Sequence, residues 1–398
     1  MTSKLLTSLR VKTLRKIFEQ LQLGELQVTF PNGDRATYKG KQNGPVADIT
    51  LSSPLGVKQM LQNGRMGFCE AYMAGEIESN NLASLIELGS LHSELLSKDL
   101  NHSPLRQALS KIIHFANRNS KSGSRKNIAY HYDLGNNFYK KWLDPSMTYS
   151  SAIFASEEQG LTQAQQNKYR KIAELADIKP GDSVLEIGCG WGGFMEFAAK
   201  NLNAHVTGIT ISNAQYDFAR KRMQKQGLSD KTELKLLDYR DLNQKFDKII
   251  SIEMFEAVGE QYWPVYFNKI GQSLKEGGKA ALQIITISEH EFPKYRNSPD
   301  FIQRYIFPGG MLPSISALQN PISKAGLQIN YSYGFGLDYA KTLEKWRDRF
   351  IKAWPNLAND TKFDTRFFKM WELYLAYCEG GFRGGTIDVK QMLITHKI

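Results

Sequence analysis

The residues best suited to chemistry lie together in Val184-Leu-Glu-Ile-Gly-Cys-Gly-Trp-Gly-Gly193, where Glu186 is followed by Gly188, Gly190 and Gly192. An apolar run that ends in closely spaced glycines reads as a strand, a tight turn and the start of a helix. Only glycine lets the backbone turn so sharply and approach a bound molecule so closely. A dinucleotide loop would prefer Gly-x-Gly-x-x-Gly, which this order fits poorly. The carboxylate at the strand end would also repel a pyrophosphate. A ligand carrying a positive amino group and a sulfonium suits it, and S-adenosylmethionine is such a ligand.

Other groups fall where neighbouring strands should end. Gly208-Ile-Thr-Ile-Ser-Asn-Ala-Gln215 offers Thr210, Ser212 and Gln215 as hydroxyl and amide groups for a ribose. Leu237-Asp-Tyr239 offers Asp238 to an adenine amino group and Tyr239 to its face. Glu253-Met-Phe-Glu-Ala-Val-Gly259 places two acids, Glu253 and Glu256, on the same rim. Glu253 is expected on the cofactor side.

The elements that must position these groups follow from periodicity. From Asp182 onward, apolar runs at 184–187, 205–209, 233–237, 248–252 and 279–287 alternate with amphipathic stretches, the pattern of a doubly wound α/β sheet. Earlier, Leu26, Val28 and Phe30 alternate, Asn32-Gly33 is a hairpin signal, and residues 47–51 form another apolar run. Residues 1–96 are therefore expected to form a small α+β domain. A basic amphipathic stretch at 97–127, with Leu109, Ile112, Ile113 and Ala116 along one face, leads to a catalytic domain at 128–398. Its polar end, Asn119 to Ser124, marks the boundary. Residues 289–326, rich in Pro, Tyr and Phe, read as an insertion well placed to cover a substrate site.

At 398 residues the chain suits two domains. No long uncharged apolar run suggests a membrane span, and the amino terminus reads as a basic amphipathic helix rather than a secretory signal. Cys69, Cys189 and Cys378 show no paired spacing and the seven histidines are scattered, which points to a reducing compartment without a structural metal. The net charge of +11 calls for a polyanionic partner. Residues 1–130 hold 17 Lys and Arg against 10 Asp and Glu, so the positive field is concentrated there.

Four further stretches join the glycine loop: His131-Tyr-Asp-Leu-Gly-Asn-Asn-Phe-Tyr139, Met147-Thr-Tyr-Ser-Ser-Ala-Ile-Phe154, Phe301-Ile-Gln-Arg-Tyr-Ile-Phe-Pro-Gly-Gly310 and Tyr374-Leu-Ala-Tyr-Cys378. With them the sequence resembles the cyclopropane fatty acid synthase family from about Leu23 to Met392. The resemblance implies a class I methyltransferase fold: a Rossmann-like, mostly parallel seven-stranded sheet with helical insertions, beside a small N-terminal α+β domain that handles lipid. It also implies the reaction, in which a cis double bond of a phospholipid acyl chain takes the methyl group of S-adenosylmethionine and loss of a methyl proton closes a cyclopropane ring.

An alkene is a weak nucleophile, so positioning and dry aromatic surroundings must supply much of the barrier reduction. Tyr139, Tyr149, Trp191, Phe255, Phe307, Tyr339 and Phe382 are candidates to face the passing cation. In the family a bound bicarbonate is the base. Matched motif by motif, its glutamate falls on Glu256, its tyrosine on Tyr339 and its backbone donors on Ser151 and Ile285. Its histidine falls on Gln283, which can hydrogen-bond an anion but cannot carry positive charge; the plant-like branch shares this glutamine. Tyr149 and Ser150 fall on the cofactor side, and Cys378 on an active-site cysteine. Without an anion, Glu256 or Glu253 could take the proton if burial raised its pKa.

The expected enzyme is cytoplasmic and peripheral at the inner membrane surface. Its partners would be unsaturated phospholipid and an anionic leaflet, with a homodimer left open. A close alternative methylates the same alkene and leaves a methylene or methyl branch. A nucleic-acid methyltransferase would normally show Asn/Asp-Pro-Pro-aromatic where this chain reads Glu253-Met-Phe-Glu256, and a lipid carrier would need no cofactor loop.

Overall fold

The computed structural model describes residues 3–93, 119–132 and 134–397. The chain divides into two compact units, one of Met1–Ile113, Asn297–Arg304 and Leu343–Thr386, the other of His114–Arg296, Tyr305–Thr342 and Ile387–Ile398. The predicted basic face at Leu109 to Ala116 lies outside the described residues.

In the first unit, β1 (Leu23–Thr29) and β2 (Arg35–Lys39) form the antiparallel hairpin signalled by Asn32-Gly33. β3 (Gln42–Leu51) and β4 (Ile77–Glu78) extend the sheet to the order β2-β1-β3-β4. Leu26, Val28 and Phe30 point inward together because side chains alternate along a strand. They meet Leu14, Ile17 and Phe18 of the helix Ser3–Phe18, so the amphipathic amino terminus packs its apolar face on this core.

The second unit is built on seven strands. They are β5 (Ser183–Ile187), β6 (His205–Thr210), β7 (Thr232–Leu236), β8 (Phe246–Ile252), β9 (Leu274–Ile287), β10 (Leu327–Gly334) and β11 (Ile387–His396), in the order β10-β11-β9-β8-β5-β6-β7. β11 runs antiparallel to both its neighbours, and the remaining pairs are parallel. This is the class I methyltransferase sheet implied by the motifs. Apolar residues fill both faces: Leu185, Ile249, Leu282 and Phe267 on one, Val184, Val206, Ile250 and Phe194 on the other. Burial on both faces explains why these strands read as continuous apolar runs.

The polar run expected as a flexible boundary is ordered structure. Asn119 is buried and donates through Nδ2 to the Gly309 carbonyl at 2.7 Å, and a helix follows at Lys121–Tyr132. Residues 289–326 follow the fifth strand of the sheet, β9, and lead to β10, with Asn297–Arg304 belonging to the first unit and the rest to the second. Among the described residues, no helix is long and apolar enough to cross a membrane.

Candidate active site

The glycine loop leaves β5 between β8 and β6, where the strand order reverses and a crevice opens at the carboxyl ends. Gly188 and Gly190 have φ of +79° and +51°. A Cβ on Gly188 would stand 2.6 Å from Met254 Cγ, so a larger residue would have to displace Met254. The N–H groups of Gly188 and Cys189 both donate to the Ile209 carbonyl at 3.0 Å, which ties the loop to β6. Glu186 is buried, and its Oε2 has no hydrogen-bond partner among the described residues. Burial pushes this carboxyl up to about 8, against the pull of Lys168, the Met195 N–H and Arg222.

At the end of β6, Thr210 Oγ1 donates to Gln215 Oε1 at 2.9 Å, and Ser212 caps the helix Asn213–Lys225 by accepting from the Gln215 N–H at 3.4 Å. After β7, Asp238 caps the turn Tyr239–Asp241 and accepts from Arg240 Nε and Nη2 at 2.8 and 2.6 Å. Burial works upward on the Asp238 carboxyl, but Arg240 outweighs it and holds the group below the usual carboxylate range. Tyr239 packs edge-on against Tyr266 at 5.4 Å. The groups expected at ribose and adenine therefore also serve the local fold.

Glu253 departs furthest from expectation. It follows the last residue of β8 with φ +50°, a left-handed conformation that costs a non-glycine residue about 1–2 kcal/mol. Its own N–H donates to the Gln283 carbonyl at 2.8 Å, and the turn carries its carboxyl into the group expected around Glu256. The Ser151 N–H donates to Oε1 at 2.8 Å, Gln283 Nε2 to the same oxygen at 2.7 Å, and Tyr339 Oη to Oε2 at 2.6 Å. Glu256 lies beside this cluster in the turn Phe255–Ala257, and its Oε1 accepts from the Ile285 N–H at 2.5 Å. Its Oε2 has no hydrogen-bond partner among the described residues. Of the four groups expected to hold a bicarbonate together with Glu256, Ile285 binds Glu256 itself and the other three bind Glu253. Burial raises the Glu253 carboxyl despite its three donors and Lys168, while burial and the neighbouring Glu253 push Glu256 up to about 8.

Two residues missed in the sequence complete the cluster. Lys168, on the helix Leu161–Ala176, is fully buried and donates to Ser150 Oγ at 2.6 Å. Burial lowers its ammonium to about 8, with Glu253, Asp144 and Glu186 working the other way. A signal was present, since Gln165 and Lys168 share the buried face of Leu161, Ala164 and Ile172, where polar residues need a reason. Gln391 on β11 stands opposite Gln283 on β9 and donates to its Oε1 at 3.0 Å, which turns the Gln283 NH2 towards Glu253.

Four of the candidate rings gather. Tyr139 lies 5.5 Å from Tyr149 and 5.1 Å from Trp191, while His131 stacks on Tyr149 at 5.7 Å and meets Phe307 at 4.0 Å. Burial drives the His131 imidazole down to about 3, so the ring is neutral. Phe255 belongs instead to the sheet's core, against Trp263, Tyr266 and Phe267. Phe382 and Cys378 lie on the helix Thr365–Arg383 of the first unit.

These residues fit S-adenosylmethionine. An open, buried carboxyl beside a glycine backbone turn is completed by a ligand that brings a positive amino group. They do not fit bicarbonate. Every donor that the family resemblance offers that anion is bonded to a carboxylate of the chain, and a further anion would meet two acids in a buried site.

Residues 119–392 match the family described as mycolic acid cyclopropane synthetase, and residues 13–97 match one described as a domain of unknown function. The sequence is 39% identical to the tuberculostearic acid methyltransferase of Mycobacterium tuberculosis over 340 residues, covering 83% of this chain and 78% of the relative. It is 36% identical over 359 residues to the cyclopropane-fatty-acyl-phospholipid synthase of Escherichia coli strain K12, covering 88% of each. The solved structure of mycolic acid cyclopropane synthase CmaA1 complexed with SAH and CTAB matches with a TM-score of 0.63 at 29% identity, covering 69% of this chain and 98% of that one.

Proposed function

The chain belongs to the mycolic acid cyclopropane synthetase family of S-adenosylmethionine-dependent methyltransferases, and we propose that it builds a cyclopropane ring on the cis double bond of a phospholipid acyl chain. One observation carries this reading. Beside the cofactor loop, the chain holds a buried carboxylate at Glu253 that three donors converge on, and Tyr139, Tyr149 and Trp191 gather as a ring cluster two residues along the chain from one of those donors, Ser151.

S-adenosylmethionine, when bound, supplies an electrophilic methyl group. Glu186 and the backbone from Gly188 to Gly192 would hold it. An alkene has no acidic proton to surrender beforehand, so the site must instead accept a proton once the new carbon is attached. Tyr139, Tyr149 and Trp191 keep water from a cation formed on the chain and offer it ring faces, worth about 0.5–2 kcal/mol each.

Loss of a proton from the new carbon closes the ring, whereas loss elsewhere leaves a branch. The relative named as a tuberculostearic acid methyltransferase favours the branched outcome as the second reading. The net charge of +11 supports a meeting with substrate at an anionic bilayer surface. Labelled S-adenosylmethionine incubated with the protein and either unsaturated phospholipid liposomes or RNA tests the substrate class. Label is expected in the acyl chains, and label in RNA alone would remove the lipid reading.

A further inference from the structure

We propose that Glu253 is the built-in base of the reaction, its carboxylate standing where the family resemblance places a bicarbonate, so that this enzyme turns over without one. The inference rests on the lipid-alkylating reading above and specifies how its last proton leaves.

Three donors from three separate elements converge on this one carboxylate: the Ser151 N–H, Gln283 Nε2 and Tyr339 Oη, at 2.8, 2.7 and 2.6 Å. Those are the groups that the family resemblance assigns to the anion. The backbone pays a left-handed φ of +50° to bring Glu253 there, and such strain at a buried polar cluster marks a position selected for what its side chain does. Glycine would adopt the same conformation freely, leaving a space of carboxylate shape lined by the same donors. Gln283 in place of histidine fits as well. A neutral amide suits a fixed carboxylate that already has Lys168 nearby, whereas a mobile anion gains from an imidazolium. Burial keeps the Glu253 carboxyl raised, which makes it a stronger proton acceptor than an exposed glutamate. The charged and titratable groups facing it are Lys168, Glu256 and Tyr339.

The step balances without a co-reactant. A C–H bond of the newly attached carbon breaks, its electron pair forms the third C–C bond and quenches the cation, and the proton passes to a carboxylate oxygen of Glu253. Water then takes it up when the product leaves.

The test compares the full-length wild type with Glu253→Gln and Glu253→Gly, in buffer stripped of carbon dioxide and again with added bicarbonate. Cofactor-product affinity, measured calorimetrically, serves as the control for folding. Wild-type turnover should not change with bicarbonate. Glu253→Gln should lose roughly 10²–10⁴-fold in kcat, the usual worth of a general base, while keeping its affinity for S-adenosylhomocysteine. Glu253→Gly should regain turnover when bicarbonate is added. Carbon-13 NMR of labelled bicarbonate gives a readout that needs no turnover: binding is expected to Glu253→Gly and not to the wild type. Bicarbonate bound by the wild type, wild-type turnover that falls when it is stripped, or a Glu253→Gln variant as fast as wild type would each overturn the assignment. A wild type that modifies no lipid would instead defeat the reading of the substrate, with the NMR comparison still deciding the base.

Discussion

Glu186 is a buried acid with an open oxygen and a carboxyl pushed up to about 8, so cofactor binding should be linked to a proton. A positive ligand beside it favours the ionised form. Binding near neutral pH should therefore release a fraction of a proton, and affinity should rise as pH increases towards 8. Calorimetry in buffers of different ionisation enthalpy checks this, and Glu186→Gln should bind more weakly and lose the buffer dependence. Tyr339 acts through Glu253. Its hydroxyl stabilises the charged carboxylate, so Tyr339→Phe should raise that pKa and move the acid limb of the kcat–pH profile upward by roughly one pH unit, the loss expected for one hydrogen bond to a charged group. A merely structural role would lower kcat evenly across pH. These partnerships are half legible. Tyr339, Gln283, Ser151 and Ile285 follow from their motifs, but as holders of a bicarbonate together with Glu256, not as partners of the Glu253 carboxylate that three of them bind. Nothing in a glutamate's identity announces a left-handed backbone.

At the level of elements, the glycine loop makes a sharper claim than its composition does. Gly188 and Gly190 both hold positive φ, but a Cβ on Gly188 would strike Met254, whereas one on Gly190 has no atom within 4 Å. Gly190→Ala should cost about 1–2 kcal/mol from the backbone alone. Gly188→Ala must in addition displace Met254, next to Glu253, and should lower the unfolding midpoint further and impair turnover. Equal midpoints in thermal unfolding would contradict this. The central strands were legible because burial on both faces writes continuous apolar runs, as at 184–187 and 248–252. β10 lacks such a run: Leu327, Ile329, Tyr331 and Tyr333 only alternate with polar residues, and the strand is exposed from Asn330 to Gly334. With β11 unread, Gln391 could not be placed opposite Gln283. Lys168 was overlooked for another reason: a lysine at core spacing reads as a solvated interruption until the helix is seen to bury it.

Over the whole molecule, two compact units share one chain that crosses between them more than once, because residues 297–304 and 343–386 belong with the amino-terminal unit. A sequence divided at a single boundary cannot show this, as contact between distant segments leaves no local composition signal. The proposed meeting with an anionic leaflet would draw on the net charge of +11 and on the wholly basic charged residues of the amino-terminal helix, each Lys or Arg adding roughly 1 kcal/mol near such a surface. Purified protein, S-adenosylmethionine and liposomes of cis-unsaturated phospholipid should yield acyl chains heavier by one CH2, and mass spectrometry before and after catalytic hydrogenation identifies the new group. The expected product carries its added carbon in a ring that withstands mild hydrogenation. A product that takes up hydrogen as an alkene would contradict ring formation, and unchanged acyl chains would contradict the substrate.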